Sequence, residues 1–177
     1  MKLVILDRDG TINHDSDQYI KSPEEWRPIK GSLEAIARLT QADYRVVVAT
    51  NQSGIARGLF DTRTLFAIHD TLLRALALVG GRIDAFFFCP HKAEDGCVCR
   101  KPQPGMLLEV GRRFNVALDE VHMVGDAQRD LEAAAAAGAK PVLVLTGKGL
   151  QTRDAGKLPA GTQVFADLAA FAAHLAP

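Results

Sequence analysis

Two aspartates one residue apart, Asp7 and Asp9, stand in the segment Asp7-Arg8-Asp9-Gly10-Thr11, directly after the apolar run Leu3-Val4-Ile5-Leu6. Alternate side chains of an extended chain share a side, so the two carboxylates can begin together before Gly10 lets the backbone turn away. Carboxylates at one spot repel unless a cation lies between them or one keeps a proton, and hard oxygen ligands favour Mg²⁺ as that cation. In such a site Asp7 can attack phosphorus as a nucleophile while Asp9 gives a proton to the leaving oxygen. Taken alone, the same residues also suit an ordinary polar turn or a calcium loop.

A second group of reactive side chains lies in the middle of the chain. All three cysteines, Cys89, Cys97 and Cys99, share a short segment with His91, in the pattern C-x-H followed by C-x-C. Ligands two apart project to one side of an extended chain, so each pair can grip half of a tetrahedral ion while the loop from Lys92 to Gly96 closes the other half. That is the chemistry of Zn²⁺, and four protein ligands leave no open position, so the expected role is structural. A disulfide is the rival; the odd cysteine count, the nearby histidine and an expected cytoplasmic setting speak against it. Arg100 and Lys101 follow at once, and we expect the metal to fix this loop so that Lys101 enters the active site and Arg100 faces substrate.

Short strands must carry these groups. Besides Leu3 to Leu6, the runs Arg45 to Ala49, Asp84 to Phe88, Val121 to Val124 and Pro141 to Leu145 read as buried strands. Helical spacing falls between them. Leu65, Ile68, Leu72, Leu76 and Val79 share one face, as do Leu33, Ile36 and Ala37 earlier and Leu107, Val110 and Phe114 later. An alanine-rich segment from about Asp130 to Gly138 and a closing stretch over 166–175 add two more helices. This alternation predicts an α/β fold, a Rossmann-like and mainly parallel sheet with helices on both faces. In such sheets ligands bind at the carboxyl ends of strands. Thr50-Asn51-Gln52-Ser53-Gly54 follows the second strand there, and Gly125-Asp126 with Asp130 follows the fourth. Each cluster has a plain alternative as a cap, a turn or a solvated side chain. Jointly they supply the donors, cation and acceptors that an in-line phosphoryl transfer needs.

With these residues in place, the chain resembles the haloacid dehalogenase superfamily of phosphatases. Asp7-Arg8-Asp9-Gly10-Thr11 matches its first motif, Thr50-Asn51 its second, Lys101 its third, and Gly125-Asp126 with Asp130 its fourth, over about residues 1–146. The resemblance implies that Asp7 is phosphorylated and that Asp9 acts first as acid and then as base. It implies that Thr50 and Lys101 hold the transferred group. Mg²⁺ would sit on Asp7, the Asp9 backbone carbonyl and Asp126, with Asp130 behind them. The segment from Cys89-Pro90-His91 to Cys97-Val98-Cys99-Arg100-Lys101-Pro102 is similar to two related groups, the heptose 1,7-bisphosphate 7-phosphatases and the histidinol-phosphate phosphatases. Thr50 to Gly58 and the run from Arg100 to Met106 look more like the heptose group, whereas the short loop between His91 and Cys97 is closer to the histidinol group. The heptose reading implies removal of the C7 phosphate in the synthesis of activated heptose for lipopolysaccharide.

Length and composition bound the rest. A chain of 177 residues with 47% hydrophobic content suits one domain with one sizeable core and leaves no room for a cap domain after the first or second motif. An open site must recognise substrate with loops, so Asn51, Ser53, Arg57 and Arg100, with Lys92 behind them, are the expected contacts to a second phosphate or to sugar hydroxyls. Lys plus Arg and Asp plus Glu number 21 each, which argues against nucleic acid or an anionic membrane as partner. The opening run is too short for a signal peptide or a span, so the expectation is a cytoplasmic monomer acting on a small phosphorylated sugar. His14 and Trp26 receive no role. Two non-enzymatic readings compete. A phospho-accepting receiver would carry its acceptor after the third strand, and a zinc-stapled interaction module would have no need of the acidic cluster.

Overall fold

The computed structural model describes residues 1–177. Six parallel strands form one sheet: β1 Leu3–Leu6, β2 Arg45–Asn51, β3 Ala85–Cys89, β4 His122–Gly125, β5 Lys140–Val144 and β6 Gln163–Phe165, in the order β3-β2-β1-β4-β5-β6. Six helices join them: α1 Ser32–Gln41, α2 Thr62–Ala77, α3 Gly105–Phe114, α4 Gln128–Ala137, α5 Gly149–Asp154 and α6 Leu168–Leu175. The first five strands lie where the apolar runs place them, within one or two residues. The short β6 and the six-residue α5 have no counterpart in the sequence reading.

The pleat sorts each central strand between two cores. Val4 and Leu6 of β1 and Val46 and Val48 of β2 pack with Ile36 and Leu39 of α1, Ile68, Leu72 and Leu76 of α2, and Phe171 of α6. Leu3, Ile5, Val47 and Ala49 face the other way, onto Met106, Leu107 and Val110 of α3 and Ala133 and Ala134 of α4. A sheet covered on both faces needs continuous apolar strands, and that is why these runs show no alternation. Trp26 is buried in the first of these cores.

Strand order reverses between β2-β1 and β4, so the loops after β1 and β4 part there and leave a crevice at the carboxyl edge. Asp7 is the first residue beyond β1 and Asp126 the first beyond β4. No helix is long and apolar enough to cross a membrane.

Candidate active site

Asp7, Asp126 and Asp130 converge at the crevice, with one carboxylate oxygen of each within 4.8 Å of the others. Asp7 is held by its position: its backbone N–H donates to the Val124 carbonyl at 2.8 Å, which ties β1 to β4 at the point where the chain leaves the sheet. Lys101 completes the group. Its fully buried ammonium donates to Asp7 Oδ1 at 2.8 Å and to the Ala49 carbonyl at 2.7 Å, and ion-pairs with Asp130 Oδ1 at 2.7 Å. Asp130 spends its other oxygen on the Ala127 N–H at the start of α4, 3.1 Å away. Asp126 differs, because Oδ2 accepts from the Lys148 N–H at 2.7 Å while Oδ1 is buried without a partner.

The electrostatics follow from this crowding. Burial, then Asp130, push the Asp7 carboxyl up to about 6 against the pull of Lys101. Burial, then Asp7 and Asp130, push Asp126 up to about 8. Lys101 moves upward too, since Asp130 and Asp7 outweigh the burial that opposes its charge. A set of buried carboxylates pushed toward holding protons, with one buried Asp126 oxygen left unpartnered, is what a hard divalent cation fits. Glycine at 10 and 147 is required beside it: each has a positive φ, +86° and +53°, and a Cβ at either would run into the Asp126 carboxylate.

Asp9 lines the same cleft as Asp7, as strand alternation leads one to expect, but its carboxylate stands outside the three-carboxylate cluster. Arg8, itself wholly buried, turns its guanidinium back on Asp9, with Nε 3.0 Å from Oδ1 and Nη2 3.1 Å from Oδ2. Asn13 Nδ2 adds a donor at 2.9 Å and Gln52 Nε2 another at 2.9 Å. Burial works to raise the Asp9 carboxyl, but Arg8 and the two amides together hold it below the usual range. The repulsion expected between Asp7 and Asp9 is thus relieved by a neighbouring cation from the chain, and the acidic partners of Asp7 come from α4 and the loop before it.

The remaining predicted residues divide clearly. Thr50 and Ser53 are buried at the cleft, and Gln52 Nε2 also donates to Thr50 Oγ1 at 2.9 Å, linking Thr50 to Asp9. Asn51 reaches the cleft, but its amide is engaged with the Lys101 backbone, donating to the carbonyl at 3.0 Å and accepting from the N–H at 3.1 Å. Arg100 lines the cleft and donates to the His91 carbonyl at 3.3 Å. Arg57 is exposed and does not line the cleft, and Lys92 and His14 border separate depressions. Sequence reading missed Gln52 and Asn13 beside Asp9, and Arg129 and Lys148 on the rim. Lys148 Nζ lies 3.7 Å from Asp15 and 3.8 Å from Asp17, across the cleft mouth.

The cysteine segment folds into a compact four-residue cluster. Cys89 Sγ lies 3.5 Å from His91 Nδ1 and from Cys97 Sγ, Cys99 Sγ lies 3.3 Å from His91 Nδ1, and the Cys89 and Cys99 sulfurs are 2.8 Å apart. Disulfide sulfurs sit at about 2.05 Å, and the three cysteines are free thiols. Four ligand atoms around Zn²⁺ at about 2.3 Å would stand about 3.8 Å apart, so small outward shifts of these side chains accommodate the ion.

Comparison with known proteins adds to this geometry. The HAD-hydrolase-like family model matches residues 98–171. The D-glycero-beta-D-manno-heptose-1,7-bisphosphate 7-phosphatase of Bordetella bronchiseptica is 62% identical over 175 residues, covering 99% of this chain and 98% of that protein. Its counterpart from Pseudomonas aeruginosa is 55% identical over 174 residues, covering 98% and 97%. Among solved structures, the B. bronchiseptica D,D-heptose 1,7-bisphosphate phosphatase complexed with magnesium and phosphate superimposes with a TM-score of 0.98, covering 99% of this chain and 98% of that one at 62% identity. The Burkholderia thailandensis D,D-heptose 1,7-bisphosphate phosphatase superimposes at 0.80, with 52% identity and the same coverage. These relatives are phosphatases, and a receiver or a bare scaffold is set aside with them; the candidate acceptor here also follows the first strand, at the centre of the sheet. The chain belongs to the haloacid dehalogenase-like hydrolases and, within them, to the family of the heptose 1,7-bisphosphate 7-phosphatases.

Proposed function

We propose that this protein is a Mg²⁺-dependent phosphomonoesterase that removes the C7 phosphate of D-glycero-β-D-manno-heptose 1,7-bisphosphate through an aspartyl-phosphate intermediate, in the synthesis of lipopolysaccharide heptose. The observation that carries the chemistry is the buried Asp7–Lys101–Asp130 ion set beside the unpartnered Asp126 Oδ1. The relatives' substrate carries the choice of sugar.

Asp7, Asp126 and the Asp9 backbone carbonyl would hold Mg²⁺, with Asp130 fixed behind them by Lys101 and the Ala127 N–H. When bound, the cation neutralises charge between the nucleophile and the incoming phosphoryl oxygens. Asp9, ionised at rest, takes the proton that the substrate's phosphate monoanion brings with it; Asp7 then attacks phosphorus as the bond to the sugar oxygen breaks, and Asp9 gives that oxygen the proton. Asp9 next takes a proton from the water that cleaves the acyl phosphate, which restores both carboxyl groups. The hydrogen bonds that keep Asp9 ionised at rest suit it to this second half. Thr50 and Lys101 hold the phosphoryl group in line. Ser53, Arg100, Arg129 and Lys148 bring donors and positive charge to the rim for the sugar and its anomeric phosphate, and no cap covers the cleft.

The cluster of Cys89, His91, Cys97 and Cys99 would bind one structural Zn²⁺ that braces the loop leading into Lys101. A cytoplasmic monomer is the simplest setting for a small phosphorylated sugar substrate.

The test is phosphate release, with Mg²⁺, from heptose 1,7-bisphosphate and from histidinol phosphate under identical conditions, for the wild type and for Asp7→Asn. Strong preference for the bisphosphate, and loss of turnover by about a thousand-fold or more in Asp7→Asn, are expected. Preference for histidinol phosphate would overturn the substrate, and an unchanged rate in Asp7→Asn would overturn the nucleophile.

A further inference from the structure

Arg8 is permanently charged, yet none of it reaches solvent. A guanidinium can be buried in this way only if its donors are met, because it has five N–H groups and no acceptor. Two of its nitrogens face Asp9. The third, Nη1, lies 3.3 Å from His69 Nε2. Arginine can only donate, so Nε2 must accept, which puts the ring proton on Nδ1 and keeps the imidazole neutral. Burial, then the charge of Arg8, hold His69 down at about 3, so it stays neutral throughout the working range.

His69 is itself held. It is buried on the inner face of α2, and its ring stacks on Phe86 of β3 with centroids 4.1 Å apart and planes 13° apart. A continuous line of contacts therefore runs from the edge strand through His69 and Arg8 to the Asp9 carboxylate. Asp9 has direct side-chain partners in the loop after β1 and in Gln52, but its only brace from α2 and β3 is this one.

We infer that His69 is a positioning residue for the reaction: by accepting from Arg8 Nη1 it locks the guanidinium in the plane of the Asp9 carboxylate and so aims Asp9 at the phosphoryl group. This rests on the acid–base reading of Asp9 given above. His69→Leu removes the acceptor while preserving an apolar contact with Phe86. The freed guanidinium then has a reason to rotate, and a displacement on the order of 1 Å at a reacting group can cost about a hundred-fold in rate.

The experiment compares wild type, His69→Leu, His69→Gln and Asp9→Asn on heptose 1,7-bisphosphate and on p-nitrophenyl phosphate, with stopped-flow detection of p-nitrophenolate. The nitrophenolate departs without a proton, so transfer to Asp7 needs no acid, whereas hydrolysis of the acyl phosphate still needs a base. For His69→Leu we expect kcat on the sugar phosphate to fall by about ten- to a hundred-fold with KM changed less than about three-fold. On p-nitrophenyl phosphate a burst of about one nitrophenolate per enzyme should precede slow turnover. His69→Gln, whose amide oxygen can accept from Arg8, should regain most of the rate.

Equal loss of the burst phase and of turnover, a loss confined to KM, or wild-type kinetics in His69→Leu would each overturn the inference. Asp9→Asn separates the two readings: if it too lacks leaving-group dependence, the acid–base role of Asp9 falls; if it shows a burst and His69→Leu does not, only the role of His69 falls. Should His69→Leu fail to fold, Phe86→Leu, which removes the stack and retains both polar partners, must show the same kinetic signature in weaker form for the inference to stand.

Discussion

Binding of Mg²⁺ should expel a proton. Without a cation, Asp126 is raised to about 8 and Asp7 to about 6, so near neutral pH the site keeps a proton on Asp126. A metal ligand must be deprotonated, and the cost appears as pH-dependent affinity. For one group with a value near 8, apparent affinity weakens about thirty-fold between pH 9 and pH 6.5, or about 2 kcal/mol at about 1.4 kcal/mol per pH unit. Titration calorimetry at pH 7, in two buffers of different ionisation enthalpy, should report close to one proton released per Mg²⁺, falling toward zero at pH 9. Asp126→Asn should abolish both binding and release. The thermal counterpart has a fixed sign: a carboxyl raised in the folded state stabilises the metal-free fold below its ordinary value near 3.8, and that contribution is lost as pH rises through about 8. The rise in Tm on adding Mg²⁺ must therefore grow with pH over this window. Flat affinity from pH 6.5 to 9 with no proton release would refute the argument, because it would mean that the carboxylates are ionised without a cation.

Asp130→Asn should cost about 3–5 kcal/mol in urea denaturation, since it leaves the buried Lys101 ammonium with one charged partner where it had two. Gly10→Ala combines a strained positive φ with a collision at Asp126, and isothermal titration should show at least about a ten-fold loss of Mg²⁺ affinity. Cys99→Ser should reduce zinc from one ion per chain to well below that by elemental analysis and lower kcat with it, because Lys101 lies only two residues beyond Cys99.

Much of this arrangement is legible in the amino-acid order. Buried strands of a doubly covered sheet must be apolar throughout, so β1 to β5 stand out as runs of valine, leucine, isoleucine and phenylalanine. β6 does not, because it is three residues long at an edge and its Val164 remains exposed at 42%. α5 is too short for an apolar stripe to repeat. Asp7 and Asp126 are legible for a different reason, as costly residue types placed where strands end, the cysteine cluster by its C-x-H and C-x-C spacing, and Lys101 by its place just after that cluster and before the helix that follows Pro104. What escaped depends on contacts distant in sequence. The amide of Asn51 reads as a substrate contact, yet it is engaged with a backbone fifty positions away. Arg129 and Lys148 carry no signal in the sequence, and only α4 and the turn after β5 bring them to the rim. Arg8 receives no role from the sequence, and only the structure shows that it neutralises Asp9 and is met from behind by His69 of α2.

The uncovered cleft bears on how turnover is timed. It encloses about 190 Å³, lined mainly by polar side chains on strand ends and turns. That is space for the reacting phosphate and the adjoining carbons, and on the proposed function the far end of a heptose bisphosphate would lie against Arg100 and Lys148 at the cleft wall. Enzymes that close a domain over substrate commonly spend their slowest step reopening it. Here the sugar can leave sideways as soon as the bond to phosphorus breaks, with no hinge to move. Chemistry, with hydrolysis of the acyl phosphate as its expected slow half, should then set the clock, and kcat should not respond to added solvent viscosity.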